Sequence, residues 1–466
     1  MGLVICSRLI SLLIYPVPDF PDTAGYIEYA LKILNDPHLW SELDTNGFSV
    51  TAARTIGYPF TLALTLALFD GLGPKIMQAL QSVVFILASW LTFRTSEAFL
   101  KSSALAFVVV SCTALSYGLT FDLALLPDGF VKSAWIIVAA LSIQLAMRQG
   151  LKPKYSICLI SFFILCMVTL RGNGLHLAIM LFPLIVFSIS RHVEAGWKRL
   201  VVLGLVIAPA LLFQFMISAW NENRSGEFFY SAGGALAVMQ PIARMQARHP
   251  QILDGKSDLS SLMNELNPQG EYQPLYDVVS AMNTRYGHSI YQTQMAAASL
   301  YLHTVPQYPS IFLRMFLRNF DTKFAIGLAN PALGLNEAHF LLTDKRIFNG
   351  FSKLIRMKKS GPEWVYVIFY ALFGILSVGL MSLFLIATPI LCLTCSISKR
   401  EISESISLRN RIAGLLWVSV VAVLGYYCAL FMELRFVSQL QPFTLMLSLF
   451  CIAELYRRWC EGRHQH

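Results

Sequence analysis

Between Pro18 and Pro59 the chain reads PDFPDTAGYIEYALKILNDPHLWSELDTNGFSVTAARTIGYP. Two carboxylates, Asp19 and Asp22, follow directly on an apolar run, and the stretch closes on Arg54-Thr-Ile-Gly-Tyr-Pro. A positioned carboxylate can act as a general base toward a hydroxyl, and arginine is suited to gripping phosphate. Further along, Asp128 follows Pro127 at the start of an apolar run, Arg171 closes another, and Glu433-Leu-Arg435-Phe436 precedes the last. Proton transfer beside an anion site is the chemistry these residue types offer. Each has a plainer reading too. Asp22 and Asp128 could cap helices, Asp19 could serve a turn beside Pro18 and Pro21, and Arg171 and Arg435 could reach up to lipid headgroups. Glu433 and Arg435 could simply pair with each other. Tyr26, Tyr58, Tyr426 and Tyr427 suit an interfacial aromatic belt.

The composition sets what must position these residues. Of 466 residues, 56% are hydrophobic and 14% charged, where a soluble chain carries about 25% charged. Apolar runs recur at membrane-spanning length. The expected class is therefore an all-α, polytopic transmembrane protein. The excess of 36 Lys and Arg over 27 Asp and Glu fits cytoplasmic loops of a membrane protein. No basic stripe with interleaved aromatics is present, so a nucleic-acid partner is not expected. Cysteines fall mostly in apolar runs, and residues 220–362 contain none, so no disulfide framework is implied there. Cys392 and Cys395 read as small packing residues.

Ten spans are expected: Gly2–Val17, taken as a first helix rather than a signal peptide, then 76–93, 102–118, 128–147, 155–170, 174–190, 199–219, 363–394, 411–430 and 437–456. The run 60–70 is too short to cross and suits a re-entrant or interfacial helix. With both termini inside, the inner connections hold fifteen Lys and Arg, from Arg94 to Arg463, and the short outer ones hold two, Arg171 and Arg435. That asymmetry is the one membrane insertion imposes. The organisation expected is a membrane module over 1–219 with its first outer loop at 18–75, a small, mostly helical outer domain over 220–362, and further spans with a cytoplasmic tail over 363–466. The piece PSIFLRMFLRNF, 309–320, has apolar positions at helical spacing and is expected to lie partly on the membrane. The sequon Asn223-Arg-Ser225 is a three-residue match of low information.

This topology brings Asp22, Arg54, Asp128, Arg171, Glu433 and Arg435 to one outer face, although they come from five segments. Ionisable residues near membrane depth are costly and usually functional. Asp22-x-x-x-Tyr26-x-x-x-Ala30, Arg54-x-x-Gly-Tyr-Pro59, Pro127-Asp128, Arg171 and Glu433-x-Arg435-Phe436 together resemble the GT-C glycosyltransferases. Within them they resemble the bacterial branch related to protein mannosyltransferases and the lipid A aminoarabinose transferase. The likeness runs over most of 1–219 and again over about 411–456.

The resemblance implies a transferase of a bacterial inner membrane. It would move a sugar from a polyprenyl-phosphate-linked donor to a hydroxyl of a cell-envelope glycan, lipid or protein, with inversion. It implies an acidic base in the first outer loop, carried to Asp22 with Asp19 as the alternative. Arg54, Arg171 and Arg435 are the phosphate-binding candidates, and Tyr26, Tyr58, Asp128 and Glu433 would support them. No metal ligands can be carried over, and a divalent cation, Mg or Mn, stays open. Two rival classes also stay open: a transporter or flippase for lipid-linked saccharide, which would favour midplane charges and inverted repeats, and an envelope polysaccharide polymerase or ligase.

Overall fold

A computed structural model of the chain describes residues 1–14, 17, 21–115, 122–194, 196–253, 255, 257–320, 363–397, 404–430 and 438–463. Helix makes up 84% of it and no strand occurs among the described residues, so the protein is an all-α polytopic membrane protein. The N-terminal part runs α1 (Gly2–Ile14), α2 (Pro21–Asn35), α3 (Val50–Ala53), α4 (Gly57–Phe69), α5 (Gly73–Leu100), α6 (Ser103–Ala114), α7 (Asp128–Ala146), α8 (Pro153–Leu170), α9 (Gly174–Met180), α10 (Phe182–Ser190) and α11 (Gly196–Ser225). Five shorter helices follow: α12 (Gly234–Gln246), α13 (Asp258–Leu266), α14 (Pro274–Tyr286), α15 (Ile290–Gln307) and α16 (Pro309–Phe320). The C-terminal part holds α17 (Glu363–Ser382), α18 (Thr388–Ile397), α19 (Glu404–Ala429) and α20 (Gln441–Arg463).

The apolar helices sort by what covers them. α7 is buried along its length between α5, α8 and α10, and Trp135 on it donates to the Leu177 carbonyl at 3.3 Å. α11 instead exposes Leu200, Leu205, Leu212 and Phe215. A helix that shows apolar side chains outward while keeping its backbone bonds internal is one that faces lipid. Where ten spans are expected, six helices among the described residues are long and apolar enough to cross. α1 and α6 are apolar but shorter. The run 174–190 is not one helix: it breaks at Leu181, ahead of Pro183, whose ring cannot continue a helix from behind. The last helix extends to Arg463 and carries a buried Glu454 bound by Arg457 and Arg458. α4 has thirteen residues, about 20 Å long. It ends at Asp70, whose φ of 47° starts the turn that lets α4 pack back on α5.

The short helices form a second core from Leu236, Met239 and Ile242 of α12, Leu262 of α13, Val278 of α14 and Ile290 of α15. Their ends carry the polar signals of helices made in water. Ser257 and Ser289 open α13 and α15 with capping boxes, and Gly287 closes α14 at φ 71°. Residues Leu43, Ala52 and Ala53, between α2 and α4, belong to this second core. The backbone N–H groups of Ala232 and Gly233 donate to the Ala52 and Ala53 carbonyls at 2.9 and 3.1 Å, and Ser231 Oγ adds a bond of 2.7 Å to Ala53. Ile290 N–H bonds the Thr45 carbonyl at 2.9 Å. At the other side Asn319 of α16 donates to the Cys428 carbonyl of α19 at 2.9 Å. Asp19, Glu433 and Arg435 lie outside the described residues, as does 321–362.

A Cβ at Gly233 would collide with the Ala53 carbonyl, whereas one at Gly204 on the lipid-facing side of α11 would meet nothing. Gly233→Ala should therefore destabilise by about 1–3 kcal/mol, as overpacking does. Gly204→Ala should be neutral or slightly stabilising. Thermal melts of the two variants in detergent check the contrast.

Candidate active site

The four described ionisable candidates come from four helix ends. Asp22 lies in the first turn of α2, one residue after its opening Pro21. Asp128 is the first residue of α7, with Pro127 as the cap. Neither carboxylate is therefore the N-cap that a plain reading assigns. Arg54 and Arg171 are the C-caps of α3 and α8, each in extended backbone. Helix N-termini favour anions and C-termini favour cations, so each charge stands where the backbone dipoles stabilise it.

They meet in two ion pairs. Arg54 Nη2 approaches Asp22 Oδ1 at 3.2 Å, with Arg54 more enclosed than Asp22. Arg171 Nη1 bonds Asp128 Oδ1, and the Asp128 side chain is 6% exposed. The Tyr26 ring lies under the Arg54 guanidinium at 4.0 Å and meets Tyr58 edge-on at 5.1 Å. Burial lifts the Tyr26 phenol above its ordinary value and Arg54 pulls it back. Burial also disfavours the charge on Arg54, but Tyr26 and Asp22 outweigh it and hold the guanidinium more basic than usual. Tyr58 is fully buried, packed between Tyr26 and Phe130, so it is not part of an exposed aromatic belt. Among the described residues its hydroxyl and Arg54 Nε are both buried without a hydrogen-bond partner.

Asp22, Arg54 and Arg171 line one cavity of about 190 Å³, together with Asn173, Phe48 and Ala53. Its far wall is aromatic: Tyr272 and Tyr276 from the second core and Tyr426 and Tyr427 from α19. Asn173 Nδ2 donates to Tyr427 Oη at 3.2 Å. Behind it lies a larger cavity of about 720 Å³ with a nearly wholly apolar lining that includes Phe60, Phe130, Phe162, Phe213 and Trp220. The same two segments build both: Ala53 and Arg54 face the first while Ile56 and Gly57 face the second, and Arg171 and Asn173 face the first while Thr169 and Leu170 face the second. Gly57 lets α4 close on α8, since a Cβ there would strike the Thr169 carbonyl. A site of this form suits an amphiphile with an anionic head and an apolar tail.

Solved structures resemble the whole chain. The oligosaccharyltransferase AglB from Archaeoglobus fulgidus, in complex with an inhibitory peptide and a dolichol-phosphate, is similar over 100% of this chain at 12% identity and a TM-score of 0.48. This chain spans 51% of that enzyme's length. ArnT from Cupriavidus metallidurans bound to undecaprenyl phosphate is similar over 97% of this chain and 77% of its own, at 11% identity and a TM-score of 0.37. No protein-family model matches the chain, and no curated protein matches it in sequence.

A divalent cation needs several hard oxygen ligands around one point. Among the described residues no three His, Cys, Asp or Glu side chains gather closely enough to hold an ion, and Asp22 and Asp128 each face a guanidinium. Among the described residues this donor set does not fit a cation, and Asp19 and Glu433 lie outside them. The residues that sequence reading passes over are Asn173, Phe48, Tyr272 and Tyr276. The i,i+4 spacing of the two tyrosines on a short amphipathic stretch was the available signal.

Removing Arg171 would leave the enclosed Asp128 carboxylate without its cation. Arg171→Gln should lower the melting temperature more than Asp128→Asn, and the double substitution should melt above Arg171→Gln, with a coupling of about 1–3 kcal/mol. Equal, additive losses would show that the pair contributes no coupling.

Proposed function

We propose that the protein is a GT-C-type glycosyltransferase of a bacterial inner membrane that moves a sugar from a polyprenyl-phosphate donor to a hydroxyl acceptor on the outer face. The observation that carries this reading is adjacency: an arginine-bearing polar cavity and an apolar cavity of about 720 Å³ are lined by neighbouring residues of the segments 53–57 and 169–173. The apolar cavity would take the first isoprene units, and the arginines would take the phosphate. The sequence motifs that resemble the GT-C enzymes run through the same segments.

In the proposed reaction the acceptor oxygen attacks the anomeric carbon as the bond from that carbon to the phosphate oxygen breaks. The hydroxyl proton passes to the Asp22 carboxylate, and the electron pair leaves on the lipid phosphate. Arg54 and Arg171 meet the charge that grows there, where preorganised donors act most strongly. Attack opposite the leaving group inverts the anomeric centre. Because Arg54 bonds Asp22, the phosphate competes with Asp22 for that guanidinium. As charge grows on the phosphate it draws the arginine toward itself and presents Asp22 to the acceptor. Aromatic rings at Tyr272, Tyr276, Tyr426 and Tyr427 offer flat apolar faces to a sugar ring. The acceptor class is a glycan, lipid or protein hydroxyl of the envelope.

Membranes holding wild type or Asp22→Asn, supplied with a polyprenyl-phosphate pool carrying isotopically labelled sugar, test the reading. Transfer by wild type and a loss of about 10²–10⁴-fold in the variant is the outcome expected for a general base. Full activity of Asp22→Asn would move the base to Asp19. Labelled lipid on the opposite leaflet with no transfer would replace the enzyme by a transporter. Thr61→Trp, which fills the apolar cavity without touching the charged residues, should raise KM for the lipid donor and leave kcat nearly unchanged, the mark of lost ground-state binding.

A further inference from the structure

The most deeply buried ionic group of the described residues lies outside the site. Arg8 of α1 donates through Nη2 to Asp122 Oδ2 at 2.8 Å. Lys132 of α7 donates through Nζ to both Asp122 oxygens, at 3.2 and 3.0 Å. The three side chains are 0%, 2% and 2% exposed. Both cations stand over the Phe85 ring, at 3.8 and 4.9 Å from its centre, a face that attracts positive charge. Two buried cations against one carboxylate is an expensive arrangement at membrane depth, and stability alone does not account for it.

What the group holds is the stretch that leads into α7, helical at Asp122 and Leu123 and irregular over 124–127. Residues 122–127 lead into α7, and Leu123, Ala124, Leu125 and Leu126 are all buried. Backbone of this kind is tolerated in a membrane module when protein groups satisfy it. Gln78 of α5 donates to the Leu123 carbonyl at 2.6 Å and Gln81 to the Leu126 carbonyl at 2.9 Å. Asp122 anchors one end of the turn, and the other end delivers Asp128 to Arg171. Lys132 stands one helical turn beyond Asp128, so it ties the start of α7 back to the start of the turn.

We infer that Arg8, Asp122 and Lys132 are positioning residues for the active site: their buried ion group fixes the turn 122–127 and, through it, the placement of Asp128 against the phosphate-facing Arg171. The consequence for turnover rests on the proposed function, whereas the consequence for the turn does not. Lys132→Met is the informative substitution. It leaves a charge-balanced Arg8–Asp122 pair, and replacing a buried ion with a well-fitting apolar chain is often neutral or stabilising. A residue with a merely structural role would lose stability and activity together.

The experiment measures three quantities on the full-length protein. The melting temperature of Lys132→Met is expected to stay level or rise while kcat for sugar transfer falls on the order of 10²-fold, the scale of a misplacement of about 1 Å. In an Asp128→Asn background the same substitution is expected to change kcat less than about twofold, because the group acts through Asp128. Alkylation of Leu126→Cys by a water-soluble maleimide, quantified on that peptide, is expected to run at least about tenfold faster with Lys132→Met, since the turn opens locally. Unchanged kcat, or losses that add to those of Asp128→Asn, would overturn the inference. If wild type transfers no sugar, the proposed function fails, and the alkylation rate decides alone: equal protection in both proteins overturns the anchoring role. Arg8→Met, which leaves the opposite charge-balanced pair, takes the place of Lys132→Met if that variant does not accumulate, with the same readings.

Discussion

Each ion pair in the site joins the N-terminal end of one helix to the C-terminal end of another. Asp22 of α2 faces Arg54 at the end of α3, and Asp128 of α7 faces Arg171 at the end of α8. Helix ends are where backbone N–H and C=O groups lack partners, and in a membrane such ends must be satisfied by protein or meet water. Opposite charges at opposite ends solve both requirements. They neutralise the dipoles locally and gather four charges at one place without a net excess. The cost is geometric: four helices must terminate at the same depth.

That meeting point is set by the short helices of the second core. α3 is one turn long and could not stand alone. It is held by residues 231–233, whose backbone bonds to Ala52 and Ala53 seat it in the second core. Below, Tyr230 Oη donates to the Val168 carbonyl near the end of α8, so the strip 230–233 touches both helices that present arginines. The short helices are therefore more than an appendage. They fix the spacing of Arg54 and Arg171 and close the polar cavity with Tyr272 and Tyr276.

Hydropathy made the helical class legible, and residue type and spacing singled out Asp22, Arg54, Asp128 and Arg171, which the structure brings together. Both signals are local properties of the chain. The pairing was not legible, because which arginine meets which carboxylate depends on packing between segments 32 and 43 residues apart. The break at Leu181 is foreshadowed by Pro183, but periodicity carried the run across it. Nothing in the sequence distinguishes the roles of Arg8 and Lys132, since a lone charge in an apolar run looks the same whether it reaches water or a buried Asp122. A tyrosine at the edge of an apolar run reads as interfacial, yet the close approach of α4 to α8 at Gly57 draws Tyr58 inside.

The charge balance of the site bears directly on how it could work. With both arginines already bound to carboxylates, an anionic head gains little from attraction at long range, since the site is near neutral. Its gain arises at contact, where guanidinium groups have more donors than one carboxylate uses. Arg54 lines the polar cavity, and in the proposed reaction a phosphate oxygen could engage its remaining donors without first breaking the ion pair. Binding and release of Asp22 are then separable steps. The first uses the spare donors, and the second follows only when the growing charge on the phosphate outcompetes the carboxylate. In the proposed reaction such a site holds Asp22 in check until the leaving group needs the same arginine, which couples proton acceptance to bond cleavage through one side chain.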